Sequence, residues 1–461
     1  MGFFRKTAKA DLVIYNGMIY GNVHETPFHG AVACRDGKIL ALGDMDLIDP
    51  LIGNDTQLID LCGRYVIPGL IKMGDNPVMQ CFKGRYADLT RCGSMTSLSD
   101  VLTFWNASHP DDAIVFGYGY DEGIFEGKSD DADDLELCRR KTDETISLLD
   151  SIFGDRPAVI LCRSTVSCIM NTAASDIVNQ TAEEEMVEYI TAPYILNLLI
   201  PFDFDSIYED IRHIMSEDRS KGYTSVISLG APDYFESLYQ DALISLYNDD
   251  SLEQRFFGSY MMNRPLLPKG LIHKLMERKT ICNEIEGMIH AEMLNIELDN
   301  EHAPIKFSQD AMNRILAEVA DKGFKIYITA SQPGDLEMAL NGLEHIRSKG
   351  FKNPFAIESA HDPAMFSDQL IYSDTGIFVN PDFFKGQCSS EEHLGLLTLT
   401  ASEAAGCDGL LGSIERGKYA DMLAFDSDPV AMSSGELAQS SPALVIINGK
   451  IVSSSMMEVV K

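Results

Sequence analysis

The feature that most limits the fold is the order of apolar runs along the chain. Through the middle, short apolar stretches read as strands: Ala113–Gly117, Ala158–Cys162, Ser225–Leu229, Lys325–Thr329, Phe355–Glu358 and Gly376–Asn380. Helical patterns lie between them, such as Gln309–Asp321, whose apolar residues recur at three and four. This alternation predicts parallel βα units, because parallel neighbours need a long crossover. The natural closed form is an α/β barrel, with its chemistry at the C-terminal strand ends. The two ends of the chain read differently. Asp11–Gly21 reads as a strand entering an Asn16-Gly17 turn, and Ala31–Gly43 as a hairpin turning at Asp36-Gly37. Gln57–Val66, Tyr419–Asp426 and Ala443–Val452 add strands, the last with Asn448-Gly449. These terminal strands are expected to pair in one small module, with the core of the chain inserted between them.

Composition sets the class of partner. The 461 residues are 45% hydrophobic and 23% charged, which excludes a disordered or fibrous chain. A formal charge of −33 argues against nucleic acid or an anionic membrane as the main partner. There is no run of 18 apolar residues, so no membrane span is expected. The 10 cysteines fall at irregular spacings with no C-x-x-C, the nearest pair being Cys162 and Cys168. That pattern predicts free, mostly buried thiols in a reducing compartment, and so a cytoplasmic protein. No apolar h-region follows Met1–Ala10, and Thr7 stands one place late for a myristoylation pattern after Gly2. The acidic runs Asp130–Asp134 and Glu183–Glu185 read as solvated faces.

Several short motifs, in order, carry a resemblance. Gly412–Met422 (G-S-I-E-R-G-K-Y-A-D-M) resembles the C-terminal signature of the amidohydrolase superfamily, and Val66–Leu70 (V-I-P-G-L) resembles its entry into the first barrel strand. Gly117–Asp121 (G-Y-G-Y-D), Arg156-Pro157 followed by Asn171, Gly222–Val226 (G-Y-T-S-V), and Ile357-Glu358 with Ala360 are similar to motifs of one branch. That branch contains YtcJ-like proteins and N-substituted formamide deformylases. The resemblance implies a TIM-like (β/α)8 barrel, complete or incomplete, with a β-sandwich formed by both termini. It implies a composite domain of residues 1–68 and 412–461 around a barrel domain of 69–411, with an inserted segment around 80–150. The implied family activity is hydrolysis of carbon–nitrogen bonds other than peptide bonds, with zinc or another divalent metal as cofactor.

The same resemblance marks departures. The H-x-H places after the first strand fall on Gly74 and Asn76. The histidine places of strands five and six fall on Thr329 and Ser359. No lysine lies between Lys279 and Lys306, where a bridging lysine would stand near Met288-Ile289. No S-D-x-P occurs between Asn380 and Gly412, a stretch short for the usual lid and last strand. The D-G-H of the branch reads Ser164-Thr165-Val166. None of the ten histidines forms H-x-H, H-x-x-x-H or H-E-x-x-H, and His361 lies two places past Ser359.

No cofactor is therefore expected. Asn76, Asp121, Ser164, Asn171, Thr329, Asp335, Glu358 and Ser359 are pocket candidates, and no catalytic residue is assigned. Ser164 and its neighbours lack a G-x-S-x-G and a nearby histidine, so a small-residue pocket wall is the simpler reading. Asp121, Asp335 and Glu358, with Asp75, could do acid–base work without metal, or could simply orient neighbours. The leading expectation is an inactive or metal-independent family member that binds a small molecule or a partner, self-association remaining open. An enzyme with relocated ligands and a structural subunit of an assembly are the alternatives.

Overall fold

A computed structural model describes residues 8–75, 80–120, 134–162, 168–181, 192–200, 204–230, 233–263, 265, 270–283, 285, 287–300, 306–359, 377–379 and 389–456. Five strands open the chain: β1 (Leu12–Ile19), β2 (Phe28–Arg35), β3 (Lys38–Gly43), β4 (Gln57–Asp60) and β5 (Tyr65–Pro68). β6 (Leu70–Asp75) enters the central sheet. A side unit follows, with β7 (Ala87–Asp88), β8 (Val115–Tyr120), β9 (Ala158–Cys162) and β10 (Cys168–Met170). The central sheet resumes with β11 (Tyr223–Ser228), β12 (Arg255–Met262), β13 (Ile289–Leu298), β14 (Lys325–Ala330), β15 (Phe355–Glu358) and β16 (Ile377–Val379). The chain closes with β17 (Met422–Phe425), β18 (Leu444–Ile447) and β19 (Lys450–Ser454).

Strands from both termini join in one eight-stranded sheet, β19-β18-β17-β5-β1-β2-β3 with β4 on β1. The seam is the antiparallel β17–β5 pair, Met422 opposite Pro68 and Phe425 opposite Tyr65. Asp36-Gly37 and Asn448-Gly449 do turn hairpins, each with both residues at positive φ. Asn16-Gly17 does not turn the chain. β1 runs through it with a bulge, Asn16 at φ 58°, while pairing with β2 on both sides. The Asn-Gly signal is local, and here a flanking partner strand overrides it.

The central sheet is a half-barrel of seven parallel strands, in the order β6-β11-β12-β13-β14-β15-β16. Among the described residues no strand pairs β16 with β6. The helical run Ser390–Ala404 contacts both of these strands instead. Its Ala401 and Ala404 pack with the inward residues Ile71, Ile227, Phe257, Met293, Tyr327 and Ala356. The outward residues meet the covering helices. On β6, Lys72 points out and its Nζ pairs with Asp218 of helix Phe204–Ser220 at 2.9 Å.

Two expected barrel strands belong elsewhere. β8 and β9 lie in a separate four-stranded sheet, β10-β9-β8-β7, covered by helices Met95–Ser108 and Asp134–Phe153. Local alternation of strand and helix does not say which sheet a strand joins, and that choice is made by packing. This side sheet runs from Ala87 to Met170, past the expected end of the insertion near residue 150. Conversely β12 and β13, which the sequence reading passed over, form the middle of the half-barrel.

Candidate functional site at the mouth of the half-barrel

Strand alternation decides which side chains face the mouth. On β13, Leu294, Ile296 and Leu298 pack outward with the helix residues Leu316 and Leu336. Met293 packs inward, so Asn295 and Glu297 share its face. Tyr327 and Thr329 of β14, and Ala356 and Glu358 of β15, occupy the same inward face. Register sets Glu297 beside Thr329, and Thr329 beside Glu358. Two carboxylates thus flank one hydroxyl across three neighbouring strands, at the C-terminal ends where α/β sheets place their chemistry.

One rung deeper, fully buried Tyr327 donates from Oη to Glu358 Oε2 at 2.5 Å. Burial, and then the charge of Glu358, holds that phenol well above the usual tyrosine range. Burial, and then the same charge, pushes the Glu297 carboxyl up to about 7. Asn295 is 0% exposed, and its Nδ2 donates to the Leu229 carbonyl at 3.0 Å. Among the described residues, neither Asn295 Oδ1 nor Thr329 Oγ1 has a hydrogen-bond partner. The mouth is therefore rich in acceptors and carries a carboxyl able to exchange a proton near neutrality.

The structure sorts the candidates. Thr329 and Glu358 meet at the mouth. Ser359, 2% exposed, follows β15 and donates from Oγ to the Ala330 carbonyl at 2.9 Å, tying two strand ends together. Asp335 is a helix cap: its Oδ2 accepts from the Gln332 amide at 3.2 Å, and its Oδ1 from the Asn300 amide at 3.3 Å. Asn171 is a fully buried staple in the side unit. Its Oδ1 accepts from the amides of Ala158 and Ala174 at 2.9 and 3.0 Å, and its Nδ2 donates to the Arg156 carbonyl at 2.9 Å. Asn76, Asp121, Ser164 and His361 lie outside the described residues. Sequence reading missed Asn295, Glu297 and Tyr327. The alternation of Leu294, Ile296 and Leu298 with Met293, Asn295 and Glu297 was the available signal.

The described residues do not fit a zinc centre. No three His, Cys, Asp or Glu side chains among them converge to hold a metal ion. Among the described residues the mouth offers two carboxylates, a phenol already spent on one of them, and a hydroxyl, with no imidazole. Gly74 adopts φ +79°, a conformation that histidine takes only with strain. His290, low in the half-barrel, stacks on Phe257 at 4.4 Å between ring centres. Burial, and then Arg255, lowers its pKa to about 4.

The C-terminal motif binds the two sheets together. Arg255 of β12 is 0% exposed and grips Asp421 through Nε and Nη2, both at 3.0 Å, with its guanidinium 3.7 Å from the centre of the Tyr419 ring. Asp421 also accepts from the Asn448 amide at 2.8 Å. At Gly412, φ +88°, a Cβ would strike the Ser402 side chain, so the chain there needs glycine.

Comparison with known proteins agrees with this architecture. Residues 376–452 match the model of the amidohydrolase family. A 62-residue stretch is 39% identical to "Protein LONG AFTER FAR-RED 3" of Arabidopsis thaliana, covering 13% of this chain and 11% of that protein. A 143-residue stretch is 27% identical to "Exoenzymes regulatory protein AepA" of Pectobacterium carotovorum subsp. carotovorum, covering 30% of each. The matched stretches thus span under a third of either relative. The crystal structure of an uncharacterized metal-dependent hydrolase from Pyrococcus furiosus is similar over 91% of this chain and 99% of its own, with TM-score 0.55 and 17% identity, a likeness of fold. The comparisons thus show a match of residues 376–452 to the amidohydrolase family model and a likeness of fold to a metal-dependent hydrolase.

Proposed function

We propose that this chain uses the amidohydrolase scaffold to bind a small molecule at the half-barrel mouth, without the metal-assisted hydrolysis of non-peptide carbon–nitrogen bonds typical of the family. It would be an inactive or metal-independent member of the branch of YtcJ-like proteins and N-substituted formamide deformylases. One observation carries the reading. Where the resemblance calls for imidazoles, the described residues are Gly74 in a left-handed conformation, Thr329, and a Ser359 hydroxyl already spent on a backbone carbonyl. The mouth keeps polar groups of another kind, Glu297, Glu358 and Tyr327.

Other features support it. One relative's name speaks of regulation. The charge of −33 disfavours nucleic acid and anionic membrane surfaces. No described helix is long and apolar enough to cross a membrane. The described cysteines are free, which suits the reducing cytoplasm. The domains would be residues 1–68 with 412–461, and 69–411.

Metal content by mass spectrometry tests the reading, on protein purified without chelators from medium containing zinc, manganese and iron. The expected outcome is no stoichiometric metal. About one or two metals per chain would overturn it and return the relocated-ligand enzyme to the front.

A further inference from the structure

We propose that the mouth formed by Asn295, Glu297, Thr329 and Glu358 is a receptor site for a small organic cation of the amidinium or guanidinium type. The proposal rests on the reading of the mouth as a metal-free small-molecule site, and it names the ligand class.

The argument is a count of donors and acceptors. Two carboxylates, one hydroxyl and one amide oxygen share the inward face of β13, β14 and β15. Neighbouring strands lie about 4.8 Å apart, so the two glutamate strands are separated by roughly 10 Å, with Thr329 midway. The donors among these groups are the Thr329 hydroxyl, one O–H against five carboxylate and amide oxygens, and Tyr327 beneath, whose proton is already given to Glu358. Asn295 is fully buried, and because its nitrogen is spent on the Leu229 carbonyl, the oxygen is the end left open among the described residues. An oxygen of that kind can only accept. Leaving buried acceptors unmade is costly, so the missing component is a donor. Among the described residues, neither Glu297 nor Glu358 is paired with a lysine, arginine or histidine.

The two carboxylates repel an anion. A neutral amide brings too few N–H groups and no charge. A divalent metal finds no third carboxylate, thiolate or imidazole among the described residues. A planar amidinium or guanidinium carries several N–H donors and a positive charge, and meets carboxylates in paired hydrogen bonds. It would also relieve the repulsion by Glu358 that, after burial, helps hold the Glu297 carboxyl at about 7.

Calorimetric titration of the intact chain tests this, with benzamidine as probe and neutral benzamide as its control. Benzamidine should bind one per chain, at least about ten-fold tighter than benzamide. Glu297→Gln and Glu358→Gln should each weaken benzamidine about ten-fold or more and leave benzamide within about two-fold. At about pH 6.5, wild-type binding should release protons, read as a heat that varies with the buffer, and Glu297→Gln should abolish that release. Melting curves confirm that each variant folds. If one does not, the wild-type contrast and the other variant still decide.

Equal affinity for the two probes, or no benzamidine binding up to about 10 mM, overturns the proposal. Equal affinity on metal-free protein removes the cation alone and leaves the small-molecule site standing. Stoichiometric metal removes the reading beneath it.

Discussion

Glu297 shows how one residue acquires chemistry from its place. An ordinary glutamate has a pKa near 4.5, and burial beside Glu358 raises this one to about 7. The consequence for stability has a definite sign. The folded chain holds the Glu297 proton more tightly than the unfolded chain. The stability it gains is fully present below pH 4.5 and is lost as pH rises through about 7. Removing the charge should therefore help above neutrality and do little in acid. Glu297→Gln is expected to stabilise the protein by about 1–3 kcal/mol at pH 8, with the gain vanishing near pH 4.5. Melting temperature against pH checks this, and a gain that grew toward acid pH would contradict the burial argument. None of it is written at position 297 in the sequence. It arises because β13 brings Glu297 within reach of a charge 61 residues further on.

At the scale of elements, Asn171 explains why a short motif reads as it does. The Arg156-Pro157 to Asn171 spacing is structural. Arg156 Nη1 donates to the carbonyls of His109, Pro110 and Asp112, at 2.7, 3.2 and 3.3 Å. Asn171 fastens the start of β9 to the first turn of helix Thr172–Thr181. Asn171→Ala leaves the backbone amides of Ala158 and Ala174 without this acceptor, at a cost of about 2–4 kcal/mol. Benzamidine affinity should stay within about two-fold, since the staple belongs to the side sheet. Urea denaturation alongside the titration separates the two effects, and a large loss of affinity with an unchanged midpoint would reverse the assignment. Elements with strong local patterns were readable. Gln309–Asp321, β9 and β15 have the bounds that their periodicity implies. β13 was passed over although Leu294, Ile296 and Leu298 alternate with Asn295 and Glu297, the pattern of a strand with one polar face.

At the scale of the whole molecule, the metal site of the family is a property of several strands at once. On the proposed metal-free reading, placing histidines on one strand should not create a metal site. Gly74→His with Asn76→His is expected to give no zinc-dependent turnover, because Thr329 and Ser359 still supply no imidazole. Gly74 at φ +79° adds about 1–2 kcal/mol of strain to any histidine there, so the melting temperature should also fall. Zinc retention, turnover and melting of the double variant can be read from one preparation, and substantial zinc-dependent turnover would refute the metal-free reading.

The hairpins at Asp36-Gly37 and Asn448-Gly449 and the clearly periodic elements Gln309–Asp321, β9 and β15 follow from neighbours along the chain. Their physics is local: periodicity, positive φ and backbone hydrogen bonding. Three matters needed long-range contacts. β8 and β9 had to choose between two sheets, helix Ser390–Ala404 had to sit between the half-barrel edges, and Glu297, Thr329 and Glu358 had to meet across neighbouring strands. Each depends on burial and register between distant segments, which no short window of sequence contains.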